Sequence, residues 1–146
     1  MERLYEIHGK EIADGYAVCH GEPDYHHILI GNGYTAVTEF NQMHLGVQME
    51  DLYYFLRKVL EKSGWKIRLG DGMLNAYSAI HPLTEGEMEY LKIRLIYPEK
   101  FWKTANSYYC TNKAWISVKN IEKLQTAIRQ TEEKKMFLKE VFGFEL

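Results

Sequence analysis

Three carboxylates and three imidazoles fall within twenty residues of one another. His20-Gly21-Glu22-Pro23-Asp24-Tyr25-His26-His27 is followed by Ile28-Leu29-Ile30, by Gly31-Asn32-Gly33 and by Val37-Thr38-Glu39-Phe40-Asn41. A carboxylate such as Glu22 can orient a hydroxyl and accept its proton. A second carboxylate with an imidazole, here Glu39 and His27, can hold a metal ion. Pro23 stiffens the backbone beside Glu22.

Phosphoryl transfer needs such a set: a carboxylate for the attacking hydroxyl and oxygen ligands that hold magnesium against the phosphates. Kinase-type sequences supply it as H-x-D-x-x-x-x-N, followed by an acidic residue at the end of a hairpin strand. In this chain His20 takes the first place, Glu22 the base position, His27 the Asn position and Glu39 the metal-binding Asp position. Each change has a consequence. Glu is one methylene longer than Asp, on the order of 1.5 Å, and a misplacement of ~1 Å can cost ~100-fold in rate. Glu39 keeps an oxygen ligand. His27 offers nitrogen, which suits manganese or zinc better than magnesium. Asn41 is neutral where many small-molecule kinases carry a second acid. The favoured reading is a loop kept as scaffold after its acids have drifted, with no cofactor. Transfer with ATP and magnesium or manganese is the alternative, and a His27–Glu39 site for another metal is a third.

Other residues of these types read more plainly. Cys19 adjoins His20, but sequence neighbours seldom form a catalytic pair and no third orienting group is evident. Gly31-Asn32-Gly33 is a turn, since no helix follows it to receive a phosphate. His26 and His27 are adjacent, so on a strand they face opposite ways and cannot share an ion. His8, His44 and His81 are isolated and read as surface or hydrogen-bonded residues.

The elements that must position these groups follow from periodicity. Residues 4–13 read as the end of a helix, and 16–19 as a short run into the loop. Residues 25–30 and 34–40 read as two strands joined through Gly31-Asn32-Gly33. Leu52, Phe55, Leu56, Val59 and Leu60 form an apolar stripe at helical spacing. Glu50 and Asp51 suit the start of that helix and Gly64 its stop. A second helix is expected over 69–80. Thr84-Glu85-Gly86-Glu87 is a capping box opening a third, which ends before Pro98. Pro98 suits the first turn of a fourth, with Phe101, Trp102, Ala105 and Tyr108 or Tyr109 inward. Ser117 caps a long last helix to about residue 141, whose polar middle, 130–135, is expected to be solvated. The fold class is therefore α+β, mainly α: one hairpin, then about five helices.

The 146 residues suit a single domain over 1–146, with 46% hydrophobic and 26% charged residues. A formal net charge of −2 gives no general attraction to nucleic acid, and no run is apolar enough to span a membrane. Eleven tyrosines beside scattered lysines could stack on bases, but the basic residues form no stripe, so packing at the core margin is the simpler reading. Two cysteines are too few for a disulfide framework, which places the chain in a reducing cytoplasm.

Several segments together resemble the spore-coat-protein S (CotS) family, a kinase-like branch of the aminoglycoside/choline phosphotransferase group. They are Cys19-His20-Gly21-Glu22, His26-His27-Ile28-Leu29, Gln48 to Lys58, Leu95 to Lys103, Ala105 to Tyr109 and Lys113 to Ile116. The resemblance implies a kinase-like C-terminal lobe with the N-terminal lobe absent, in a bacterial cytoplasm or assembled into the spore coat. It implies that Asp51 braces the catalytic loop, that His20 is loop scaffold and that Glu22 is a degenerate base. With Ile28, Ile30, Val37 and Phe40 on the strands, one face of the hairpin is expected to be covered by helices. The other, with Leu4 and Ile7, is expected to lie open to a second copy or a protein partner.

Overall fold

The computed structural model describes residues 16–110 and 117–144. The helix expected over 4–13, with Leu4 and Ile7, and the segment 113–116 lie outside the described residues. Four short strands form two separate pairs: β1 (Tyr16–Cys19), β2 (Ile28–Gly31), β3 (Tyr34–Val37) and β4 (His44–Val47). β2 and β3 make the hairpin, with Gly31 opposite Tyr34 across Asn32-Gly33. β2 starts later than expected because Tyr25–His27 closes a 3-10 turn, with His27 N–H on the Asp24 carbonyl. His26 and His27 therefore do not lie on a strand.

β1 and β4 pair antiparallel, Cys19 opposite His44 and Tyr16 opposite Val47. Residues 44–47 carry no alternating pattern long enough to announce a strand. This ladder brings the two ends of the segment 20–43 together, and it delivers the chain directly into the first helix.

That helix, α1 (Met49–Ser63), buries Leu52, Leu56 and Leu60 from the expected stripe, and ends at Gly64. Tyr53 and Arg57 are also buried, since α1 is central and is contacted on more than one side. Next come α2 (Ile67–Ser78) and α3 (Glu85–Ile96), the latter opened by the Thr84–Glu87 capping box. Tyr90, Leu91 and Leu95 of α3 close over α1.

Two expectations fail in the C-terminal part. In α4 (Glu99–Tyr109), Phe101 and Trp102 are half exposed and Tyr109 is more so; Thr104 is the buried residue. This helix lies at the margin of the bundle, mainly against α5 (Val118–Arg129), so no layer covers its outer side among the described residues. The last helix is two, because the chain bends at Gln130 (φ −88°, ψ 7°) before α6 (Thr131–Phe142). The bend turns Gln130 and Lys134 of the polar stretch inward, while Thr131, Glu132 and Glu133 are exposed as expected. Gln130 Nε2 donates to the Glu61 carbonyl at 3.0 Å, and Lys134 sits over Trp65. The described helices therefore number six.

Among the described residues the hairpin is covered on neither face. Leu29 and Ile30 point to opposite sides, and both are exposed, Ile30 to 83%. Tyr34, Val37, Phe40 and Met43 are exposed as well, and so is the cross-strand pair Val18–Leu45, with Leu45 at 73%. The helices pack chiefly on one another and leave both sides of this short ribbon open.

Glu99 ties α4 to α1. Its carboxylate accepts the Tyr53 hydroxyl, pairs with Lys103 and lies 3.3 Å from Arg57 Nη2, an ion pair without hydrogen-bond geometry. Burial pushes the Glu99 carboxyl up, but the bonds from Lys103 and Tyr53 and the charge of Arg57 outweigh it and hold it below its ordinary value. A carboxyl held low in the folded state contributes stability above its unfolded pKa, and that contribution is lost as pH falls through the folded value. Stability is expected to drop as the pH falls below the ordinary carboxyl range, less steeply in Glu99→Gln. Urea unfolding at a series of pH values tests this; parallel profiles for the two proteins would remove Glu99 from the acid transition.

Candidate functional site

One face of α1 holds the loop. Asp51, Tyr54, Lys58 and Lys62 fall at i, i+3, i+7 and i+11, so they project from one side of the helix. Each takes a different part of residues 20–25. Asp51 Oδ2 accepts the His20 N–H at 2.6 Å, and Oδ1 accepts the Gly21 N–H at 2.9 Å. Tyr54 donates its hydroxyl to Glu22 Oε1 at 2.9 Å. Lys58 Nζ lies 3.3 Å from Asp24 Oδ2, and Lys62 Nζ 4.1 Å from the centre of the Tyr25 ring. Gly21 has φ 85°, and a Cβ there would stand 2.2 Å from the Gln42 carbonyl oxygen, so the loop needs glycine at this point.

His20 joins the loop to the hairpin. Its Nδ1 accepts the Glu22 N–H at 3.3 Å, and its Nε2 lies 2.8 Å from the Thr38 carbonyl. Those partners assign the proton to Nε2. The ring also meets Phe40, centroids 4.7 Å apart, and stacks on His27 at 5.9 Å. Thr38 in turn gives both its N–H and its hydroxyl to the His27 carbonyl. His20 is thus buried and bonded on both ring nitrogens.

Glu22 is exposed and borders an open cleft with Gly21, Gln42, His44 and Tyr54. One carboxylate oxygen is taken by Tyr54. Burial pushes the Tyr54 hydroxyl up, and the bond to Glu22 adds to it, so the phenol remains a donor. Burial also pushes the Cys19 thiol up, with Asp51 and Glu50 adding to it, the opposite of what a thiolate nucleophile needs.

The two residues read as metal ligands are placed as follows. His27 Nδ1 lies 3.0 Å from the Glu22 carbonyl, which can only accept, so the proton is on Nδ1 and Nε2 is the nitrogen left for a ligand. Glu39 stands two residues beyond β3, rather than at its end, in a left-handed conformation (φ 65°), and its Oε2 accepts from the Asn41 amide at 3.0 Å. Among the described residues no group of three or more His, Cys, Asp or Glu side chains is placed to hold a metal ion. An imidazole and one exposed carboxylate do not fit the near-octahedral oxygen site that magnesium requires. Any ion these two hold is expected to be manganese or zinc, and His27→Ala is expected to abolish that preference. Competition titrations followed by NMR decide it; a magnesium preference that survives the substitution would show that His27 is not a ligand.

Tyr54 and Thr38 were not legible as site residues from the loop motif alone. For Tyr54 a signal existed: it falls one turn after Asp51 on the same helix face.

Comparison with known proteins adds the family. A family model described as "Spore coat putative kinase YutH" matches residues 10–141. This chain belongs to that spore-coat family. Spore coat protein S of Bacillus subtilis (strain 168) is 30% identical over 136 residues, which cover 92% of this chain and 39% of that protein. The crystal structure of an aminoglycoside phosphotransferase from Alicyclobacillus acidocaldarius subsp. acidocaldarius DSM 446 matches with a TM-score of 0.85 at 18% identity, over 97% of this chain and 43% of that one. The YutH-family chain therefore has a kinase-like phosphotransferase fold and spans about two fifths of the length of either relative. Among the described residues no helix is long and apolar enough to cross a membrane.

Proposed function

We propose that this YutH-family chain is a non-catalytic, spore-coat-related component that acts through contacts on its hairpin side, either with a second copy or with a protein partner. The observation that carries this reading is the exposed apolar surface of Leu29, Ile30, Tyr34, Val37, Phe40 and Met43. Exposed apolar patches above a few hundred Å² usually mark an interface. The drift of the loop to Glu22, His27 and Glu39, with one oxygen of each carboxylate already engaged, supports the absence of chemistry.

A second reading, a small-molecule phosphotransferase of the aminoglycoside/choline kinase type that needs an N-terminal lobe beside these residues, is favoured by one observation. The loop is still fully tied down at Asp51, although a drifted loop has no need to be. One experiment separates the two. The purified chain is titrated with ATP and magnesium in a calorimeter, and its mass is measured by light scattering at high micromolar concentration, with Ile30→Glu in parallel. No saturable nucleotide binding is expected, together with a dimer that Ile30→Glu dissociates. Micromolar ATP binding would overturn the non-catalytic reading. A monomer that also recovers no partner from sporulating cells would overturn the interface.

A further inference from the structure

Farther along α1 from the cleft at Glu22, a cavity of about 420 Å³ opens between the C-terminal ends of α1 and α3 and the residues of α4, α5 and α6 that face them. It shares no residue with the cleft at Glu22. Tyr54, at that cleft, and Glu61, at the cavity, are seven residues apart on α1, about 10 Å along its axis. The volume suits a small ligand. Trp65 forms one wall and Leu124, Ala127 and Ile128 of α5 another; Phe101 and Ile128 reach the surface at the rim, Ile128 with 72% exposure.

The charges in this apolar shell do not balance. Lys134 Nζ lies 5.2 Å from the centre of the Trp65 ring and 3.4 Å from the Ile96 carbonyl. Among the described residues no carboxylate stands at ion-pair distance from it. The two acids of the lining are already engaged. Glu61 is 3.1 Å from Arg57 Nη1 and 3.9 Å from Lys100 Nζ, and Glu99 serves Arg57, Lys103 and Tyr53. Arg57 is more than nine-tenths buried, and its Nε has no hydrogen-bond partner among the described residues. Burial lowers the Lys134 pKa; Glu61 opposes that from longer range and Arg57 adds to it. A half-buried ammonium on an apolar cavity wall, with its nearby acids committed, is complementary to an anion that carries an apolar body.

We propose that this cavity binds a small amphipathic carboxylate, with the carboxylate at Lys134 and the apolar body against Trp65, Leu124 and Ile128. The cation–π contact of Lys134 with Trp65 holds the ammonium in place before the ligand arrives.

The test uses the full chain and three probes of one shape: 2-naphthoate, 2-naphthalenemethanol and 2-naphthylmethylamine. Calorimetry measures affinity. The indole N–H signal of Trp65, assigned with Trp65→Phe, reports the place. The acid is expected to bind at least about tenfold more tightly than the alcohol, the amine more weakly than either, with the Trp65 signal moving. Lys134→Met is expected to bring the acid to within about twofold of the alcohol. Equal binding of acid and alcohol, no saturable binding of the acid at millimolar concentration, or a shift at Trp102 without one at Trp65 would each overturn the proposal. If Lys134→Met loses its helical circular dichroism, the three-probe comparison on the unaltered chain decides alone.

Discussion

Asp51→Ala is expected to lower the unfolding free energy by about 2–3 kcal/mol and to release the segment 20–25 from α1. The carboxylate accepts two backbone N–H groups at 2.6 and 2.9 Å, and no other acceptor among the described residues bonds to either. Leaving a donor unmatched costs about 1–3 kcal/mol when water cannot replace the partner. His20 is buried and Gly21 half-buried, so replacement is incomplete. Asp51→Asn keeps one acceptor oxygen and is expected to recover about half the loss. Urea denaturation gives the free energies. Hydrogen exchange at the His20 and Gly21 amides gives the location, since a loss through the helix start alone would leave these amides protected. A change within about 0.5 kcal/mol of zero would mean that the loop is held by its other three anchors.

Phe137→Ala carries the largest expected loss of stability, about 3–5 kcal/mol. Phe137 is fully buried, edge-on to Trp65 with centroids 5.8 Å apart and to Phe142 at 6.0 Å. Its ring also occupies the space that a side chain at position 70 would need: a Cβ on Gly70 would stand 2.3 Å from Phe137 Cε2 and 3.1 Å from Leu60 Cδ2. Gly70→Ala would gain about 1 kcal/mol in a free helix. Here the clash is expected to reverse the sign and cost about 1–3 kcal/mol, because the ring has no open side to move into. Phe137→Leu should relieve that clash in part, so the double variant is expected to be less destabilised than the sum of its singles. Additive losses, or a stabilising Gly70→Ala, would show that α2 and α6 do not meet in this way.

Both predictions concern contacts that differ in how far the sequence announces them. Asp51 sits at a helix start recognisable from its own neighbours, and the motif at His20 marks what it would meet. Nothing near Gly70 announces Phe137, sixty-seven residues away.

The same division runs through the whole chain. The turn at Asn32-Gly33, the stripe on α1, the stop at Gly64, the capping box at Thr84 and the cap at Ser117 were legible in the sequence, because each is decided by backbone and side-chain contacts within a few residues. The residue types of the loop were legible for the same reason. Tertiary structure alone decided that His44–Val47 would pair with Tyr16–Cys19, since a four-residue strand gains its hydrogen bonds only from a distant partner. It decided that both faces of the hairpin stay open among the described residues, and that Phe101 and Trp102 sit at the margin, since an apolar side chain is buried only where another layer exists to cover it. It broke the last helix at Gln130 and turned Lys134 toward Trp65, against a local pattern that reads as solvated, because a carbonyl of α1 and an indole face stand where that stretch passes. It also placed the Tyr54 hydroxyl on Glu22, a contact between two residues thirty-two positions apart that the β1–β4 ladder brings within 2.9 Å.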